Sequence, residues 1–318
     1  MSKKISIFAR EDREITVGLP RALLYHRYEI LWKSFFSELG VQCVTSPRTN
    51  KAIIDRGIER SIDETCLSTK IYMGHVDALI GKCDYILIPR ISNFGIRRFM
   101  CTKFEALYDM TGNVFRGSGQ KFLAYDIDVV KKTGEEKAMI AMAEAMGFSR
   151  KEGKNAYKAA KRFENDDWKR KVREEERKLR TDQIKIMVAG HSYIIEDEYV
   201  GKPVVRMLEE MGVTPIIADR IDRKEAIRQS ARISPTIKWE MSRELMGSIQ
   251  IRRNKTDGVI LLSAYPCGPD SMVNEMIIRK FRDLPIQTIV LDTQEGMAGL
   301  ETRLESFTDV LKLQRGEL

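Results

Sequence analysis

At 318 residues the chain is long enough to bury a substantial core and to form two domains. Hydrophobic residues make up 43% and charged residues 31%, an ordinary globular balance, and no run approaches the roughly 18 apolar residues of a membrane-spanning helix. The formal net charge is +8. Much of the basic charge lies in residues 150–180, where Glu and Asp interleave with Lys and Arg at helical spacing. That is the pattern of a solvated helix face or docking surface. No zinc-finger spacing, RNA-binding aromatic signature or helix-turn-helix pattern accompanies it, so nucleic acid is not the expected partner.

The opening MSKKISIFAREDREITVGLP has no apolar segment before a small-residue cleavage site, so a cytoplasmic location is expected. Five cysteines, an odd number in a chain this long, argue against a disulfide scaffold. Core packing, redox chemistry and metal binding remain as their uses.

In chain order, residues 15–19 read as a short strand ended by Pro20, and 22–39 as a helix with its apolar face on Leu23, Leu24, Tyr28, Leu31, Trp32, Phe35, Phe36 and Leu39, stopped at Gly40. A strand at 41–44, a helix at 51–60, a second helix from Cys66 to Ile80, and strands at 85–88 and 121–124 follow. A helical stretch over 135–180 leads to a strand at 184–189, a helix at 197–211, strands at 213–217 and 258–262, a helix after Asp270, a strand at 286–291 and a closing helix at 299–313. This order predicts an α/β fold of two doubly wound, parallel-sheet domains, 1–134 and 183–318, joined by a helical connector, 135–182. No internal sequence repeat is evident. In such sheets ligands gather beyond the carboxyl ends of the strands.

Three cysteines stand in loops of that kind. Cys66 lies in IDETCLSTK before a helical pattern, where a thiolate is stabilised by the helix dipole and free N–H groups. Cys101 lies in RRFMCTKF beyond the strand ending near Pro89. Cys267 lies in AYPCGPDS past the 258–262 strand, in a turn stiffened by Pro266 and Pro269 and opened by Gly268. Thiolates brought to one point would suit an iron–sulfur cluster or zinc. Cys43 alternates with apolar neighbours and reads as core. Cys83, opening a strand, is a candidate fourth or alternative ligand.

The three histidines, His26, His75 and His191, form no metal-binding pair and read as structural. There is no G-x-x-x-x-G-K-[ST] loop and no G-x-G-x-x-G fingerprint, and the stretch at 116–119 is a turn. Asp63, Glu64, Ser263 and Glu295 are polar candidates near the cysteine loops.

The segments VGLPRALLYHRYEILWKSFFSELG, TSPRTNKAIIDRGI, DETCLSTKIYMGHV, CDYILIPRI, YPCGPDSMVNE and LDTQEGMAGLETRLESF resemble the acyl-CoA dehydratase activase-related proteins, relatives of 2-hydroxyacyl-CoA dehydratase D-components and double-cubane cluster proteins. The similarity runs from about residue 15 to 310. It implies Rossmann-like α/β domains and a [4Fe–4S] cluster on Cys66, Cys101 and Cys267, with one iron left open; the cysteines are too few for a double cubane within one chain unless Cys83, Cys43 or a second chain contributes. It also implies a partner, a dimeric actin-like-fold activator ATPase with its own cluster, that supplies electrons for a low-potential reduction. A 2-hydroxyacyl-CoA dehydratase subunit, in a homodimer or with a related subunit, is the alternative enzyme. A non-catalytic scaffold or zinc protein is the alternative outside enzymology.

Overall fold

The computed structural model describes residues 14–292 and 297–317. Two four-stranded parallel sheets, each covered by helices, make up the fold. The first sheet contains β1 (Thr16–Leu19), β2 (Gln42–Thr45), β3 (Tyr85–Asn93) and β4 (Lys121–Asp128) in the order β2-β1-β3-β4. Its helices are α1 (Tyr25–Glu38), α2 (Lys51–Glu59), α3 (Leu67–Asp77) and α4 (Thr102–Val114). Two connecting helices follow, α5 (Glu135–Ala145) and α6 (Arg150–Lys178).

The second sheet repeats the order as β6-β5-β7-β8, with β5 (Lys185–Ala189), β6 (Thr214–Ile217), β7 (Gly258–Ala264) and β8 (Ile286–Leu291). Around it lie α7 (Ser192–Ile195), α8 (Lys202–Glu210), α9 (Arg223–Ser230), α10 (Glu240–Arg252), α11 (Gly268–Lys280) and α12 (Met297–Arg315). The expected α/β class with two Rossmann-like parallel sheets is the fold observed. Among the described residues no helix is long and apolar enough to cross a membrane.

Strand burial explains the parallel arrangement. Every residue of β7 is buried, and β3 and β5 are nearly so, as strands covered on both faces must be. Strand β3 runs past Pro89, where the sequence pattern ends it, because β1 pairs with it only at Tyr85 and Ile86. Beyond those residues one side of β3 is an edge, and an edge tolerates the missing proline N–H.

Helix α6 spans both sheets. It begins with a reciprocal capping box between Ser149 and Glu152, and its outward face carries the Arg170 pairs with Asp167 and Glu174. Its inner face is not solvated: Gly153, Ala156 and Ala160 are buried. Glu175, fully buried, accepts the Ile217 N–H at 2.7 Å and an Arg220 N–H at 3.2 Å. The charged stretch therefore acts as a strut between the two sheets.

Candidate functional site

Cys66, Cys101 and Cys267 occupy equivalent local positions. Each is the N-cap of the helix that follows it (α3, α4 and α11), with extended backbone at the cap and no hydrogen-bonded side-chain cap. Their thiols line one open cavity of about 540 Å³, counted to its mouth. Cys101 follows β3, while His191 and Cys267 follow the neighbouring strands β5 and β7. Leu23, from the loop after β1, completes the wall. In each sheet the chain reverses its direction of winding between those two central strands, so the cavity joins the switch points of both sheets.

A fourth helix start faces the same space. Helix α10 is preceded by its N-cap Trp239, and Glu240, Met241 and Ser242 from its first turn line the cavity. Free N–H groups and the positive ends of four helices are thus directed at one volume. The seam is closed by backbone pairing. The Leu67 N–H donates to the Tyr265 carbonyl at 2.8 Å, and the Phe99 N–H donates to the Lys238 carbonyl at 2.9 Å. The Glu240 N–H donates to the Phe99 carbonyl at 2.8 Å. Arg98 forms an ion pair with Glu240 across the same seam.

Cys101 and Cys267 sit in a raised-pKa environment. Burial pushes Cys101 up, and the neighbouring Cys66 and Asp270 add to the rise. Burial pushes Cys267 up further, reinforced by the Asp270 carboxylate. The Cys66 sulfur lies 3.2 Å from the Thr69 hydroxyl. Without a cation both buried thiols keep their protons at neutral pH, and binding a metal must release them. Among the described residues, no group of three or more His, Cys, Asp and Glu side chains is arranged so that it could hold a metal ion.

The remaining cysteines and histidines separate cleanly. Cys83 precedes β3, at the opposite end of that strand from Cys101, and packs beside Gly18 and Leu79 without lining the cavity. Cys43 lies within β2, where burial pushes its thiol up to about 11. His75 is fully buried far along α3, its Nδ1 2.8 Å from the Ser46 hydroxyl and its Nε2 2.9 Å from the Thr49 hydroxyl. Burial lowers its pKa to about 3, so it stays neutral. The Thr49 hydroxyl donates onward to Asp197 at 2.5 Å, which makes this a structural tie between the two halves. Asp63 and Glu64 are exposed, and Ser263 is buried within β7; none of the three lines the cavity. Glu295 lies outside the described residues.

His191 departs from its expected structural role. It is 5% exposed, caps α7, stacks on Tyr193 at 5.1 Å, and lines the cavity. Its Nε2 lies 2.8 Å from Asp270 Oδ1. Burial alone would lower the histidine pKa, but the Asp270 charge outweighs it and the net shift is upward. Burial likewise works against the Asp270 carboxylate, and His191 holds its pKa below the usual value. Stability from the charged pair is therefore present below the unfolded histidine pKa and lost as pH rises through the higher folded value. Asp270→Asn should move the His191 titration to lower pH, as read from its imidazole NMR signals; an unmoved midpoint would show that Asp270 does not set it. The sequence signal for this pair was position: His191, like Cys267, stands just past a strand end.

No curated relative matches this sequence. Similar solved structures include a Zn(II)-bound mutant variant of AdcAII from Streptococcus pneumoniae, at 12% identity and TM-score 0.30, covering 94% of this chain and 99% of that one. A mutant of the laminin-binding adhesin Lmb from Streptococcus agalactiae aligns at 13% identity and TM-score 0.27, covering 94% and 99%. These scores are too low to imply a common fold. The sequence itself matches a family model over residues 16–221, a span that includes the first sheet, both connecting helices, Cys66 and Cys101. The chain belongs to the family described as the CoA enzyme activase uncharacterised domain.

Proposed function

We propose that this chain is an iron–sulfur protein that accepts electrons from an ATP-driven activator of the actin-like fold and performs or relays a low-potential reduction. The observation that carries this proposal is the meeting of Cys66, Cys101 and Cys267 on one cavity, each at the start of its own helix. The donors suit such a group by type. Soft thiolates suit iron–sulfur ligation, and helix N-termini complement the negative charge of a thiolate-bound cluster. Membership in the CoA enzyme activase family supports the activator side.

A [4Fe–4S] cluster bound there would supply one-electron chemistry at low potential and, on three thiolates, would keep one iron open to a ligand. The chain's own residues provide the setting. Leu23, Phe99, Phe104 and Trp239 form an apolar wall that limits water and lowers the local dielectric. The Asp270 carboxylate orients His191, which holds a proton at the cavity surface. The Arg98–Glu240 and Arg27–Glu244 pairs keep the two halves in register around the thiols.

The test is anaerobic reconstitution followed by iron and sulfide analysis, with EPR before and after dithionite. Expected is a sulfide-containing iron centre that becomes paramagnetic on reduction. Cys66→Ser, Cys101→Ser and Cys267→Ser should each reduce bound iron to trace levels, while Cys43→Ser should leave it unchanged. No more than trace iron in the wild-type chain after reconstitution would sink the proposal, and zinc without sulfide would favour a structural site.

A further inference from the structure

We propose that the same cavity binds a small carboxylate between the Lys103 ammonium and the ring of His191, beside the three thiols. The charge inventory of the wall carries this. Two carboxylates line the cavity, and each has a cationic partner: Glu240 pairs with Arg98, and Asp270 pairs with His191 through Oδ1, its Oδ2 being buried without a hydrogen-bond partner. Lys103, half-buried in the first turn of α4, lines the same space and makes no ion pair or side-chain hydrogen bond among the described residues. An ammonium on a cavity wall without a counter-ion leaves its N–H donors available to an anionic ligand.

His191 supplies the second, independent indication. The side chain is nearly sealed and lines the cavity, yet among the described residues only Nε2 has a hydrogen-bond partner. The upward shift imposed by Asp270 favours the imidazolium, in which Nδ1 carries a proton. The start of α10 adds uncapped backbone N–H groups at Met241 and Ser242.

The chemical class follows from the shape and number of these donors. One ammonium and one imidazole nitrogen are as many donors as a carboxylate has oxygens, whereas a phosphate would bring a further charged oxygen to a wall of Phe99, Phe104 and Trp239. Those rings instead accommodate a short carbon chain. The subsite shares its cavity with the cluster proposed above but needs no metal, so its test uses the metal-free, reduced full-length chain, and failure of either proposal leaves the other standing.

The probe is acetate, titrated at constant ionic strength with chloride as the balancing anion, and read by imidazole NMR. Only three histidines are present, and burial keeps His26 and His75 neutral, with pKa values lowered to about 4 and about 3. Acetate should shift the His191 signals saturably and leave the other two in place. Lys103→Gln and His191→Gln should each weaken acetate binding about tenfold, the loss of one charge-assisted hydrogen bond. For His191→Gln the readout is the backbone amide signals of the α10 first turn. Among the described residues Lys103 has no ion-pair partner to lose, so Lys103→Gln is expected to fold as the wild type and keeps the test decisive. An unsaturable shift, equal binding in Lys103→Gln, or tighter binding of inorganic phosphate than of acetate would overturn the proposal.

Discussion

Glu244→Ala is expected to cost about 3–5 kcal/mol of folding stability, the usual penalty for stranding one member of a buried ion pair. Arg27 of α1 reaches across the seam to Glu244 of α10 and binds it through two hydrogen bonds of 2.7 and 2.8 Å. The two side chains are 9% and 3% exposed. Arginine does not surrender its proton, so removing the carboxylate leaves a guanidinium charge in a water-poor interface. Urea denaturation of Glu244→Ala measures the loss, and the double variant Arg27→Met with Glu244→Ala should recover part of it. A cost below about 1 kcal/mol would place the pair among solvent-screened bridges. The acid limb carries a further signature. Burial alone would raise the Glu244 pKa, but Arg27 brings it below the usual carboxylate value. Its contribution is present above the unfolded carboxylate pKa and is lost as pH falls through the lower folded one.

Gly74→Ala is expected to destabilise the chain by about 3 kcal/mol, the upper part of the range for overpacking. A Cβ at Gly74 would lie 1.9 Å from the Ile53 carbonyl oxygen, and one at Gly57 would lie 1.9 Å from the Lys70 carbonyl oxygen. Helices α2 and α3 therefore cross backbone to backbone at these two glycines, and neither carbonyl can give way without moving its helix. Because α3 begins at Cys66, displacing it would also displace that thiol from the cavity. Thermal unfolding reads the stability loss, and the rate of Cys66 alkylation in the metal-free protein reads the displacement. Wild-type values for both would show that the crossing relaxes without cost.

Much of the fold was legible because period and punctuation agreed. The aromatic stripe of α1 and its stop at Gly40, the apolar runs of β5 and β7, and the Pro-Cys-Gly-Pro turn before α11 each express a local preference that the tertiary structure retains. Helix α10 is different. Glu240, Glu244 and Arg252 are buried on it and paired with Arg98, Arg27 and Glu176. Charged residues on an inward face erase the apolar period from which such helices are recognised. The polar half of the cavity was obscured for the same reason.

The sequence by itself determined most of the alternation of strands and helices, and with it the placing of Cys66 and Cys267 just ahead of helices and of Cys101 beyond a strand; the helix after Cys101 came from the structure. The former are local properties, set by side-chain periodicity and by the residues that start and stop each element. Only the tertiary structure decided that the three helix starts share one cavity, that Cys83 sits at the other end of β3, and that His191 and Asp270 meet there. Convergence depends on how the two sheets dock. That docking is governed by the Arg27–Glu244 and Arg98–Glu240 pairs, pairings between residues distant in sequence that no local pattern encodes.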